Sequence, residues 1–113
     1  QALAPGERRR TVLVFDEVDT GLSGRALVAV AERLTLVGRV AQAISVSHAA
    51  VMAAAASHHI LIEKHAEGGR TVIAAHSLEG QERLDELARM IAGNKAGETT
   101  RRQAQEMLDA LSG

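Results

Sequence analysis

Apolar and polar positions alternate in blocks along the chain, and the blocks have two different periods. Thr11-Val12-Leu13-Val14-Phe15 is continuously apolar after its first residue and rich in β-branched side chains. That pattern predicts a strand buried on both faces, as inside a parallel sheet. Asp16 to Gly24 is polar and glycine-containing, a loop. Arg25 to Val37 then places apolar residues at 27, 28, 30, 31, 34 and 37, the spacing of one helix face, with Gly38 at the expected end. Ala41 to Val46 predicts a second buried strand, ending in Ser47-His48, and Ala49 to Ala56 a short alanine-rich helix. A strand beginning at Ile60 and a returning strand from Arg70 to His76 flank Glu67-Gly68-Gly69, a hairpin signal. Gln81 to Ala92 carries Leu84, Leu87, Ala88 and Ile91 on one stripe, Gly93-Asn94 closes it, and Glu98 to Leu111 is a last amphipathic helix.

The order is strand, helix, strand, helix, hairpin, helix, helix. Its first half is a βαβ unit, which implies a parallel pair joined by a right-handed crossover. Ligands of open α/β sheets gather at the carboxyl ends of such strands. Asp16-Glu17 ends the first strand and Ser47-His48 the second, so the pattern predicts that these groups share one sheet edge.

Composition adds constraints. The chain has 113 residues, is 46% hydrophobic and 24% charged, and its formal charge is -1. That excludes a disordered chain, and it gives no net-charge argument for nucleic acid. Arg8-Arg9-Arg10 is a local basic run, read as a solvated loop, and Pro5-Gly6 marks a turn. Phe15 is the only aromatic residue, so the core is expected to be aliphatic and marginal for its size. Without cysteine there is no disulfide or thiolate site. No apolar run approaches the roughly 20 residues of a membrane helix. The polar, basic start is unlike a secretion signal, and with no initiator Met it suggests a fragment of a longer chain.

Two adjacent carboxylates at a strand end are costly unless a cation or donors compensate. Mg²⁺ is a natural compensator, since it takes carboxylate and water oxygens and leaves room for phosphate. The second carboxylate can then orient and deprotonate an attacking water. A solvated pair capping the next loop explains the same residues. Likewise, Val18 to Gly24 reads both as a tight loop able to approach a phosphate or another chain and as an ordinary strand-to-helix link with Ser23 as N-cap. His48 on the same edge is either structural or a tunable partner of a terminal phosphate. His58, His59, His65 and His76 lack accompanying ligands at metal spacing and are not read as a metal site. Met52, Met90 and Met107 are expected core filler, and Arg101-Arg102 a solvated helix face.

Here the residues resemble a known family. VLVFDEVDTGLSGRA is similar to the Walker B motif and D-loop of the SMC/RecN branch of ABC-type ATPases. AQAISVSHAAVMAAAASHHILIEK resembles the H-loop strand, the His switch and the strand after it. GGRTV followed by LEGQERLDELARMIAGN resembles the end of the RecN family in particular. The likeness runs from about Thr11 to Leu111. It implies an α/β, P-loop NTPase fold of which residues 1–113 form the C-terminal half of an ABC-ATPase head: a parallel βαβ core, then a β-hairpin and two helices.

The resemblance also implies roles. Asp16 would hold Mg²⁺ through water, Glu17 would be the catalytic base, and His48 would contact the γ-phosphate of ATP. Asp19, Ser23 and Gly24 would lie in the D-loop facing a second head in an ATP-dependent dimer. The implied setting is cytoplasmic and nucleoid-associated, in recombinational repair of DNA double-strand breaks, with DNA as a partner of the complete protein and no membrane. The chain departs from the pattern in having no G-x-x-x-x-G-K-[ST] and no signature motif. Those would belong to an N-terminal half of the same head, its implied partner, so the segment alone is expected to be inactive. Ala49-Ala50-Val51 also stands where a Leu-Pro-Gln type stretch is expected. A truncated gene product, a non-catalytic docking module and a head segment of another SMC- or ABC-type ATPase are the alternatives.

Overall fold

The computed structural model describes residues 12–111. The Pro5-Gly6 turn and the Arg8-Arg9-Arg10 run lie outside the described residues. Strand β1 (Val12–Asp16) is followed by helix α1 (Gly24–Val37), strand β2 (Gln42–Val46) and the short helix α2 (Ala50–Ala55). Strands β3 (His59–Glu67) and β4 (Arg70–Leu78) come next, then helix α3 (Gly80–Ala92), a 3₁₀ turn (Gly93–Lys95) and helix α4 (Glu98–Leu111). The predicted order is reproduced, with boundaries displaced by a residue or two where ends fray.

β1 and β2 pair in parallel, Val12 opposite Gln42 through Asp16 opposite Val46. β3 and β4 form a separate antiparallel hairpin, with Glu67 opposite Arg70. Gly68 and Gly69 turn that hairpin at φ 57° and 76°. Two successive left-handed residues match the right-handed strand twist, and glycine adopts them without a Cβ clash.

The core lies among the helices. Ala54 of α2, Leu87 and Ala88 of α3 and Ala104 of α4 are buried together, with Leu84, Met90, Ile91, Met107 and Leu108 packed around them. Small residues let α2, α3 and α4 approach closely, and methionine fills the gaps between them. Ala31 is the buried residue of α1, on the predicted stripe. The aliphatic, methionine-filled core is as the composition implied.

The expectation that β1 and β2 are buried on both faces is corrected. Val14 is 65% exposed, and Val12, Leu13, Ile44 and Val46 are exposed as well. Two strands make one narrow ribbon, and a ribbon is buried on both faces only when further layers lie against it. The hairpin also presents apolar side chains, with Ile73 at 63% exposure. The radius of gyration is 15.9 Å, against about 13 Å for a compact domain of roughly this length. Among the described residues no helix is long and apolar enough to cross a membrane.

Candidate functional site: a carboxylate–histidine edge

The parallel register brings the two strand ends level. Asp16 is opposite Val46, and the Glu17 amide donates to the Val46 carbonyl at 2.8 Å, extending the ladder by one bond. Glu17 then turns out of the strand at φ 52°, the one non-glycine residue with positive φ among those described. A non-glycine residue there costs about 1–2 kcal/mol, and such strain concentrates where a side chain must be aimed. The Glu17 carbonyl accepts from the Thr20 amide at 3.1 Å, closing the turn.

Across the edge, the Ser47 hydroxyl accepts the Ala49 amide at 2.9 Å, a side-chain turn that starts α2. His48, between them, places Nε2 3.2 Å from Glu17 Oε1. The side chains are 90% and 49% exposed respectively, so the pair faces outward. Sequence spacing predicted a shared edge, and the structure brings Glu17 and His48 into contact there.

The loop after Glu17 is compact: the Leu22 amide donates to the Asp19 carbonyl at 3.0 Å. Asp19 Oδ1 is buried without a hydrogen-bond partner. Ser23 occupies the N-cap position of α1 in an extended conformation, but its hydroxyl makes no capping bond. Gly24 begins the helix at φ 57° with open space where a Cβ would stand. Ser23 thus holds the position expected of a cap without doing the cap's hydrogen bonding.

Two groups singled out by the structure, Arg83 and Glu86, were not read from the chain, and a third, His59, was read only as one of several scattered histidines. Arg83 of α3 donates through one terminal nitrogen to the carbonyls of Ala53 at 2.9 Å and Ala56 at 2.6 Å, at the end of α2. Burial lowers its pKa. Its signal was available: Arg83 falls one helical turn before Leu87, on the inward stripe, where an arginine needs a buried reason. Glu86 is 9% exposed and is met bidentately by Arg89. His59 is buried at the base of β3 with Nδ1 unpartnered.

His59 has its pKa lowered from 6.5, by burial first and the Arg83 charge second, with Glu86 pulling partly back. The unfolded chain therefore holds more protons than the folded one between the two values. Stability is complete above the unfolded value of 6.5 and is lost as pH falls through the folded one. In urea titrations, acidification from neutral pH is expected to lower the midpoint, and His59→Leu to flatten that dependence. An unchanged slope in the variant would assign the acid sensitivity elsewhere.

The geometry defines an α/β segment with a parallel βαβ unit whose strand ends carry a carboxylate pair and a histidine. No family model matches the chain. Curated relatives do: it is 47% identical to the DNA repair protein RecN of Deinococcus radiodurans over 96 residues, covering 85% of this chain and 17% of that protein. It is 43% identical to RecN of Streptomyces coelicolor over 96 residues, with 85% and 17% covered. With RecN of Halalkalibacterium halodurans the identity is 41% over 99 residues, 88% of this chain and 18% of the relative. The chain belongs to the RecN family. It spans less than a fifth of the length of these relatives.

Proposed function

We propose that this segment supplies the water-activating edge of an ATP-hydrolysing head in a DNA repair protein. The observation that supports it best is the 3.2 Å contact between Glu17 and His48 at the carboxyl ends of two parallel strands. Glu17 accepts a proton from the attacking water and orients it. His48, within reach of the same point, offers a ring N–H to a terminal phosphate oxygen. The names of the relatives support the DNA repair setting.

The donor chemistry suits Mg²⁺, since Asp16 and Glu17 offer hard carboxylate oxygens at consecutive positions. Among the described residues no three ligand-type side chains converge. Asp16 would hold the ion through water, as the family resemblance implies, with phosphate oxygens completing the shell. Bound Mg²⁺ would neutralise charge on the transferred phosphoryl group. Asp19, Ser23 and Gly24 would face a second head, where the uncommitted Ser23 hydroxyl and the open backbone at Gly24 suit close approach by another chain. The N-terminal half of the same head would cover the exposed faces of β1 and β2 and bring the phosphate-binding loop. DNA would be engaged by the complete protein, on the nucleoid in the cytoplasm.

The exposed strand faces also favour a second reading, a docking module without chemistry, because such faces need a cover in either case. The readings part on turnover. Purified 1–113 is expected to release no phosphate from ATP above background, while the complete head does. His48→Ala is expected to lower kcat of that head about 100-fold, at the modest end of acid–base and positioning effects. His48→Ala and Glu17→Gln heads that both turn over normally would leave only the docking reading.

A further inference from the structure

We infer that Arg83 is a positioning residue for His48, clamping the far end of the short helix that follows it. The inference rests on the reading of Glu17 and His48 as an ATPase edge.

Helix α2 is six residues of alanine, valine and methionine. A helix this short does not hold itself in water. Neither Ala49 nor Ala56, at its two ends, can cap with a side chain. Its fixtures come from outside. At the start, the Ser47 hydroxyl accepts the Ala49 amide. At the finish, the Arg83 guanidinium serves the carbonyls of Ala53 and Ala56 and lies 3.5 Å from that of Ala54. A helix end leaves its last carbonyls short of intrahelical donors, and the Ala53 carbonyl also accepts the Ala56 amide at 3.3 Å.

His48 sits immediately before this helix. Its side chain is largely exposed and touches Glu17, so little packing holds the ring itself. Its place is set by the backbone between Ser47 and α2, and that backbone is pinned at its far end by Arg83. Arg83 meanwhile belongs to α3, whose Leu87 and Ala88 lie in the core. The guanidinium thus ties the reactive edge to a helix anchored in the buried core. Its Nε is buried without a hydrogen-bond partner, a desolvation cost set against the bonds its terminal nitrogen makes. Lysine can bring a donor to these carbonyls but not the fixed planar direction of the guanidinium nitrogen, so it reproduces the arrangement only in part.

The test uses the complete protein carrying this segment, with R83Q, R83K and E17Q compared. R83Q is expected to lower kcat about tenfold or more while KM for ATP stays within about twofold, because misplacement of about 1 Å costs rate rather than affinity. R83K should fall between R83Q and the parent. Hydrogen exchange should quicken across residues 49–57 and stay unchanged in α4. If R83Q does not fold, R83K carries the same comparison. Faster exchange at 49–57 with an unchanged kcat would make Arg83 a helix cap only and overturn the inference. So would uniform loss of protection through α4 in both Arg83 variants. E17Q separates the two ideas: if it is inactive while R83Q is normal, only the positioning role falls; if it hydrolyses ATP normally, the reading of the edge falls first and the positioning role with it.

Discussion

Glu17→Gln in the complete ATPase head is expected to remove ATP turnover by a factor of about 10² to 10⁴, the range for loss of a positioned general base. The substitution keeps size and removes the ability to take a proton. Nucleotide binding should persist, because Glu17 is assigned to the water and Asp16 to the metal. The substitution also puts an amide in place of the carboxylate that lies 3.2 Å from His48 Nε2, without emptying the space between them. The backbone should tolerate it, since φ 52° at position 17 is no worse for glutamine than for glutamate. A single-turnover assay with labelled ATP and a binding isotherm decide the matter. Normal turnover in the Gln variant would end the assignment of Glu17 as base, whatever happened to affinity.

Leu87→Ala is expected to cost about 3–5 kcal/mol, the upper part of the range for a large-to-small change in a core that cannot collapse. Leu87 is the largest side chain fully buried among the described residues. Its buried neighbours Ala54, Ala88 and Ala104 have no side-chain length with which to fill the hole, which leaves only the partly buried Met90, Met107 and aliphatic side chains around them to lean in. Single domains are stable by only about 5–15 kcal/mol, and this segment, with its open strands, is expected near the low end. The variant should therefore lose its cooperative urea transition at ordinary temperature when the segment is studied alone. A loss below about 1 kcal/mol would show that α2, α3 and α4 relax together and that the core is less rigid than drawn.

The element order was legible because each element's pattern is local. Period 3.6 in residues 25–37 and 81–92, an unbroken apolar run before Asp16, a mostly apolar one before Ser47, and paired glycines at 68 and 69 each depend on near neighbours in the chain. The level strand ends followed from one further rule, that a βαβ unit makes a parallel pair. Burial was less legible. Val14 and Ile44 have the composition of doubly covered strand residues and are nonetheless exposed. An apolar run reports what a strand is suited to, not which layers lie against it.

The remaining features depended on residues far apart in sequence. Helix α2 declares no cap of its own, and the donor to its carbonyls stands some 30 residues on, at Arg83. His59 looked like one of several scattered histidines, and burial beside Arg83 distinguishes it by lowering its pKa. By itself the sequence determined the elements, their order and the family, because periodicity and motif are written in consecutive residues. Only the tertiary structure decided that Glu17 leaves the strand in a left-handed turn to meet His48, and that α3 holds α2 in place. Those outcomes belong to packing, where a guanidinium or a carboxylate finds its partner through space.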